Sequence, residues 1–88
     1  MSIGTDRPPI SIGQLVRVVS VHHSVFNAEV GSLHIVTRID GAMVWVRPHA
    51  LYPRKTRTGV VYQRANWESL YSLGRLEPAL WVPEAIKT

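Results

Sequence analysis

The chain has 88 residues, no cysteine, ten Lys and Arg against six Asp and Glu, and a formal net charge of +4. That length allows one domain with a single core and little stability margin. The missing cysteine excludes disulfides and thiolate metal sites, and a hydrophobic share of 45% excludes a disordered chain. No apolar run approaches the ~18 residues of a membrane span, and the N-terminus lacks a secretory pattern, so no membrane association and a cytoplasmic location are expected.

In chain order, residues 1–10 (MSIGTDRPPI) read as a flexible lead, because Gly4 and the Pro8-Pro9 pair oppose regular structure. Residues 14–21 (QLVRVVSV) are rich in β-branched side chains with imperfect alternation, as in a strongly bent strand. Residues 32–39 (SLHIVTRI) alternate, which places Leu33, Ile35, Thr37 and Ile39 on one face. Asp40-Gly41 follows as a two-residue hairpin signal. The partner strand is 42–47, with Met43, Trp45 and Arg47 on one face and Val44 and Val46 on the other. Pro48 and Pro53 bracket a loop, and residues 59–64 (GVVYQR) form a fourth strand. Asn66 reads as the N-cap of one or two helical turns, WESLYSL, stopped by Gly74, with Trp67, Leu70 and Tyr71 on a shared face. A final edge strand is expected around Ala79 to Val82, limited by Pro78 and Pro83, with a loose tail over 84–88.

Short strands, one tight hairpin and one helical turn suggest a mainly all-β domain over residues 11–83. The expected architecture is a single small five-stranded barrel of SH3-like or OB-like type. Residues 12–46 favour the first. Gly13 precedes Val16-Arg17-Val18, Phe26 is followed five residues later by Gly31, and Val44-Trp45-Val46 closes the unit. This order resembles the KOW-type SH3-like barrel of transcription and ribosomal proteins. It is also similar to other SH3-like barrels, including the small stromal subunit of photosystem I, which shares the Glu-Val-Gly step found here at 29–31. The resemblance implies a barrel and, through its KOW side, RNA binding. Ala28 stands where the KOW loop usually has a second glycine, and the segment after Val46 is additional to a minimal KOW unit.

That additional segment carries the functional signal. Residues 41–67 contain Arg47, Arg54, Lys55, Arg57 and Arg64 and no Asp or Glu, together with His49, Trp45, Tyr52, Tyr62 and Trp67. Positive charge interleaved with flat rings suits a polyanion with bases to stack on. Gly13 and Gly31 are expected to serve backbone turns, as a bulge or as a positive-φ position, and Trp45 to be a core or half-buried ring. Tyr52 and Tyr62 are the expected stacking surfaces, and the RKTR run at 54–57 an exposed hairpin tip.

His22 and His23 are adjacent, so on a strand they face opposite ways and cannot share a metal ion. The carboxylates are scattered, and no nucleophile elbow, phosphate loop or HExxH is present. The sequence therefore predicts no enzyme, no cofactor and no metal. It predicts a nucleic-acid-binding face built from Arg47, His49, Tyr52, Arg54, Lys55, Arg57, Tyr62 and Arg64. The competing expectation is an adaptor or inhibitor that docks this face on an acidic protein surface. Single cysteine-free barrels of this size are common among phage-encoded regulators, which keeps a protein partner open by analogy. A third expectation is a structural subunit that buries Leu51, Leu80 and Trp81 against a neighbour.

Overall fold

Val16, Val18, Val44 and Val46 alternate with polar or bulky neighbours, and all four are wholly withdrawn from water. Period-two spacing of this kind builds strands with one dry face. The computed structural model describes residues 10–87, apart from the side chain of Phe26. Its strands are β1 Leu15–Val18, β2 Leu33–Asp40, β3 Met43–Pro48, β4 Leu51–Thr56, β5 Gly59–Arg64, β6 Ser69–Ser72 and β7 Leu76–Pro78. Two 3-10 turns, Ser24–Glu29 and Leu73–Arg75, punctuate them.

The strands form two antiparallel sheets, one ordered β6-β3-β2-β1-β7 and one made of β4 and β5 alone. No ladder joins β6 to β7 among the described residues, so barrel closure by hydrogen bonds is not seen. The core gathers Val16, Val18, Val36, Val44, Val46, Tyr71 and Leu76, with Ile10, Val21, Ile39 and Leu73 packed against it. Of the expected lead over 1–10, only Ile10 falls within the described residues.

The β2–β3 hairpin forms as the alternation requires, but its turn lies one residue later than expected. Asp40 pairs with Met43, which leaves Gly41 and Ala42 to turn, with Gly41 at φ 62°. Gly13 and Gly31 also take positive φ, at 90° and 91°, as expected of turn glycines. Strand β2 departs from strict alternation. Its register against β3 shifts between Val36 and Arg38, so Thr37 is an extra residue, and its hydroxyl donates to the Trp45 carbonyl at 3.2 Å. The bulge lets Val36 and Ile39, three apart, serve the same core. Ile35 consequently faces the other way from Val36. It lies between its cross-strand partners Leu15 and Arg47, and both Ile35 and Leu15 are buried.

Four further expectations are corrected. The WESLYSL segment is not helical: Ser69–Ser72 is strand β6 and only Leu73–Arg75 makes a turn of 3-10 helix. Pairing of Val44 with Tyr71 and Trp45 with Leu70 draws the segment into the sheet, so Tyr71 is buried and Leu70 exposed. Cross-strand hydrogen bonds and a valine-lined site for the Tyr71 ring outweigh the helical spacing. The last strand is Leu76–Pro78 instead of 79–82, because Leu76, Glu77 and Pro78 are the residues that reach β1. The loop expected between Pro48 and Pro53 shrinks to His49 and Ala50, and Pro53 sits inside β4. Finally, residues 85–87 of the expected loose tail bond to β4: Leu51 N–H donates to the Ala85 carbonyl at 2.9 Å and Lys87 N–H to the Leu51 carbonyl at 2.7 Å.

Ile35→Ala should destabilise the domain by about 2–4 kcal/mol, the range for removing a buried large aliphatic side chain. Denaturant unfolding reads this directly, and a change within ~0.5 kcal/mol would show that the Leu15–Ile35 side of the sheet is not a packed one.

Candidate nucleic-acid interface

Every residue from Pro53 to Arg64 is exposed. The segment has no face of consecutive alternating aliphatics that a second layer could cover, and no other strand pairs with it, so β4 and β5 stand away from the main sheet as a two-stranded arm. Six residues of strand span ~20 Å. The molecule is elongated accordingly, with principal extents of 60 × 27 × 21 Å and a radius of gyration of 14.9 Å, against about 12 Å for a round chain of this length. Arg57 and Thr58 make the tip between Thr56 and Gly59, and the Thr56 hydroxyl donates to the Gly59 carbonyl at 3.0 Å.

The register distributes the predicted residues over both faces of the arm. Leu51 pairs with Arg64, Pro53 with Tyr62 and Lys55 with Val60; cross-strand partners share a face. Tyr52 pairs with Gln63 and Arg54 with Val61 on the opposite face. Arg54, Lys55, Arg57 and Tyr62 are thus presented on the arm and at its tip. Arg64 is exposed too, but it makes a close ion pair with Glu84, 2.6 Å from Nη1 to Oε2, without the alignment of a hydrogen bond.

The other three residues of the predicted face lie elsewhere. His49 is 2% exposed, and its Nε2 donates to the Val82 carbonyl at 2.8 Å while its ring meets the edge of Trp81. Tyr52 is half-buried at the arm's root, where its ring packs edge-on against Trp67 at 5.0 Å. Arg47 is half-buried on β3 with its Nε enclosed. Only Tyr62 therefore remains as an exposed ring on the arm. Arg38, outside the predicted face, lies 4.1 Å over the Trp45 ring, a cation–π contact on the main sheet.

A cleft of about 500 Å³ opens at the root of the arm, lined among others by Glu29, His34, His49, Tyr52, Trp67 and Val82. Behind it lies a polar cluster that the sequence did not signal. Tyr71 Oη donates to the Glu29 carboxylate. Ser32 Oγ donates to the Glu29 carbonyl at 2.6 Å and lies 2.9 Å from His34 Nε2. With its hydrogen committed, that hydroxyl accepts from Nε2–H, which fixes His34 as the Nε2 tautomer. Burial pushes the His34 imidazole below its ordinary pKa, against a smaller opposite pull from Glu29. Burial and the bond to Glu29 push the Tyr71 phenol upward. The Nδ1 atoms of both His34 and His49 are enclosed without a partner among the described residues. No group of three or more metal-ligating side chains exists among the described residues. His23 instead caps the first 3-10 turn, its Nδ1 accepting from Val25 N–H.

No family model, curated protein or solved structure matches the chain.

The polar cluster yields a pH prediction. The unfolded chain takes up a proton on His34 near pH 6.5, whereas the folded chain resists it. Stability on this account is full above about pH 6.5 and falls as the pH drops below that value. Denaturant midpoints should decline from pH 7 to pH 5.5, and the decline should be shallower in His34→Gln. A slope unchanged by the substitution would remove His34 as its source.

Proposed function

We propose that the chain is a non-enzymatic, SH3-like scaffold whose β4–β5 arm binds nucleic acid. The scaffold half of this reading is supported by the strand order, a meander of β1, β2, β3 and β6 with β7 returned to β1 by a single 3-10 turn. The observation that carries the binding half is the arm. Arg54, Lys55 and Arg57 stand on a projecting ribbon with no acidic residue of its own strands beside them.

A ribbon of two strands suits the wide groove of a duplex, which is about 12 Å across and admits such an element. Contacts from guanidinium and ammonium groups to phosphates would supply affinity with little sequence preference. Tyr62 is the one exposed ring on the arm, so stacking there would add to one position instead of running along a strand of bases. No helix among the described residues is long and apolar enough to cross a membrane.

Arg54→Glu with Arg57→Glu should abolish most binding to DNA and RNA in a fluorescence anisotropy titration. The melt should shift by less than about 0.5 kcal/mol, because exposed charges on the arm contribute little to stability. For the wild type, the logarithm of affinity should fall with the logarithm of salt with a slope of about −3, for roughly three neutralised phosphates. Absence of binding to single- and double-stranded DNA and RNA at low salt would sink the proposal.

A further inference from the structure

The two edges of the arm are treated differently. In an antiparallel pair, backbone N–H and C=O groups point alternately toward the partner strand and away from it. The Leu51 N–H and C=O both bond outward, to Ala85 and Lys87. Leu51 and Arg64 are therefore a pair that does not exchange ladder bonds, and by alternation so are Pro53 with Tyr62 and Lys55 with Val60. The outward-facing backbone of β4 is then that of Leu51, Pro53 and Lys55. Leu51 is covered by residues 85–87, Pro53 has no N–H to offer, and Lys55 places a charge on the edge. Those are the devices that stop a sheet edge from recruiting another strand.

Strand β5 has neither a covering segment nor a proline, and its one charge, Arg64, stands at its root end in the ion pair with Glu84. Its outward groups are those of Val60, Tyr62 and Arg64, and no described residue bonds to them. From Thr58 to Gln63 it carries no charge and no proline. Val60, Val61 and Tyr62 are 52%, 46% and 42% exposed. Such an edge is a template for one more strand.

We propose that the outer edge of β5 is a strand-addition site for an extended acidic segment of a partner protein. Charge selects the occupant. A strand laid along β5 lies within reach of Lys55 on one face, Arg54 on the other and Arg57 at the tip, with no carboxylate on β4 or β5 to repel an incoming one. A second copy of the chain would set one such basic arm against another, which like-charge repulsion opposes. Three backbone positions supply the register, and the exposed side chains of Val61 on one face and of Val60 and Tyr62 on the other lie beside the alternating side chains of an added strand. The site goes beyond nucleic-acid binding and shares its cations, so the two partners would exclude each other.

The test uses a fluorescein-labelled peptide of alternating Val and Glu, its Val and Gln counterpart, and a DNA duplex as separate probes. The acidic peptide should bind the wild type at least about tenfold more tightly than the Gln peptide, since charge complementarity drives encounter and selects partners. Val60→Pro removes an outward N–H without touching a ladder bond. It should weaken the acidic peptide about tenfold or more and leave duplex affinity within about twofold, because phosphate contacts need no β5 backbone. Amide exchange in the wild type gives a reading that needs no variant. Val60, Tyr62 and Arg64 should exchange fast in the free protein, unlike Val61 and Gln63, and should slow when the acidic peptide is added. The proposal is overturned by absence of peptide binding, by binding indifferent to Val60→Pro in a folded variant, or by no protection at those three amides. Sedimentation showing a dimer with the same amides already protected would overturn it in favour of a second copy. Duplex binding is read on the same samples, so failure here is separable from failure of the nucleic-acid reading.

Discussion

Strand β1 has only four residues, and it cannot slip. Val16 and Val18 lie wholly inside while Arg17, between them, reaches across the outer face to Glu77 at 3.2 Å. A shift of one residue would exchange two buried valines for a guanidinium, far more costly than the small contribution of the exposed ion pair. That fixed register sets β2 on one side and β7 on the other. It also aims the chain that follows β7: Ala79 N–H bonds to the Leu15 carbonyl at 3.0 Å, and residues 82–87 run on to His49 and Leu51. The burial of β1 thus determines where the inner edge of the arm is covered, and by default which edge is left bare.

The division of labour between the sheets follows. The five-stranded sheet holds the apolar core and the enclosed polar cluster. The arm contributes no residue to that core, and only Leu51 and Tyr52, at its root, are even half-buried. An isolated two-stranded ribbon is marginal in water. Here its root is held by backbone bonds to residues 85 and 87, the Arg64–Glu84 ion pair and the Tyr52–Trp67 contact. A ribbon tied only at one end can carry charge and exposed aliphatics that a packed strand could not.

Much of this was legible in the residues, and the failures have physical causes. Strict alternation in β3 and the glycine after Asp40 located the hairpin, and the acid-free basic segment located the arm. The spacing of Trp67, Leu70 and Tyr71 fits a helical stripe equally well as a strand that buries only Tyr71; β3 decides between them, and that partner lies more than twenty residues away. The Val36–Ile39 relation needed a bulge that alternation does not announce. His49 looked like part of a basic surface because its burial depends on Val82, 33 residues further on. Nothing local to His34 reveals that Ser32 and Glu29 would complete its surroundings.

The three tryptophans fall in three different places. Trp45 lies under Arg38 on the main sheet, Trp67 against Tyr52 at the arm's root, and Trp81 against His49 where residues 79–87 cross behind it. Their distribution gives the molecule intrinsic optical reporters for scaffold, arm and covering segment. Chains that keep one indole each would resolve, by emission alone, whether the arm detaches from its root before the scaffold melts or only together with it.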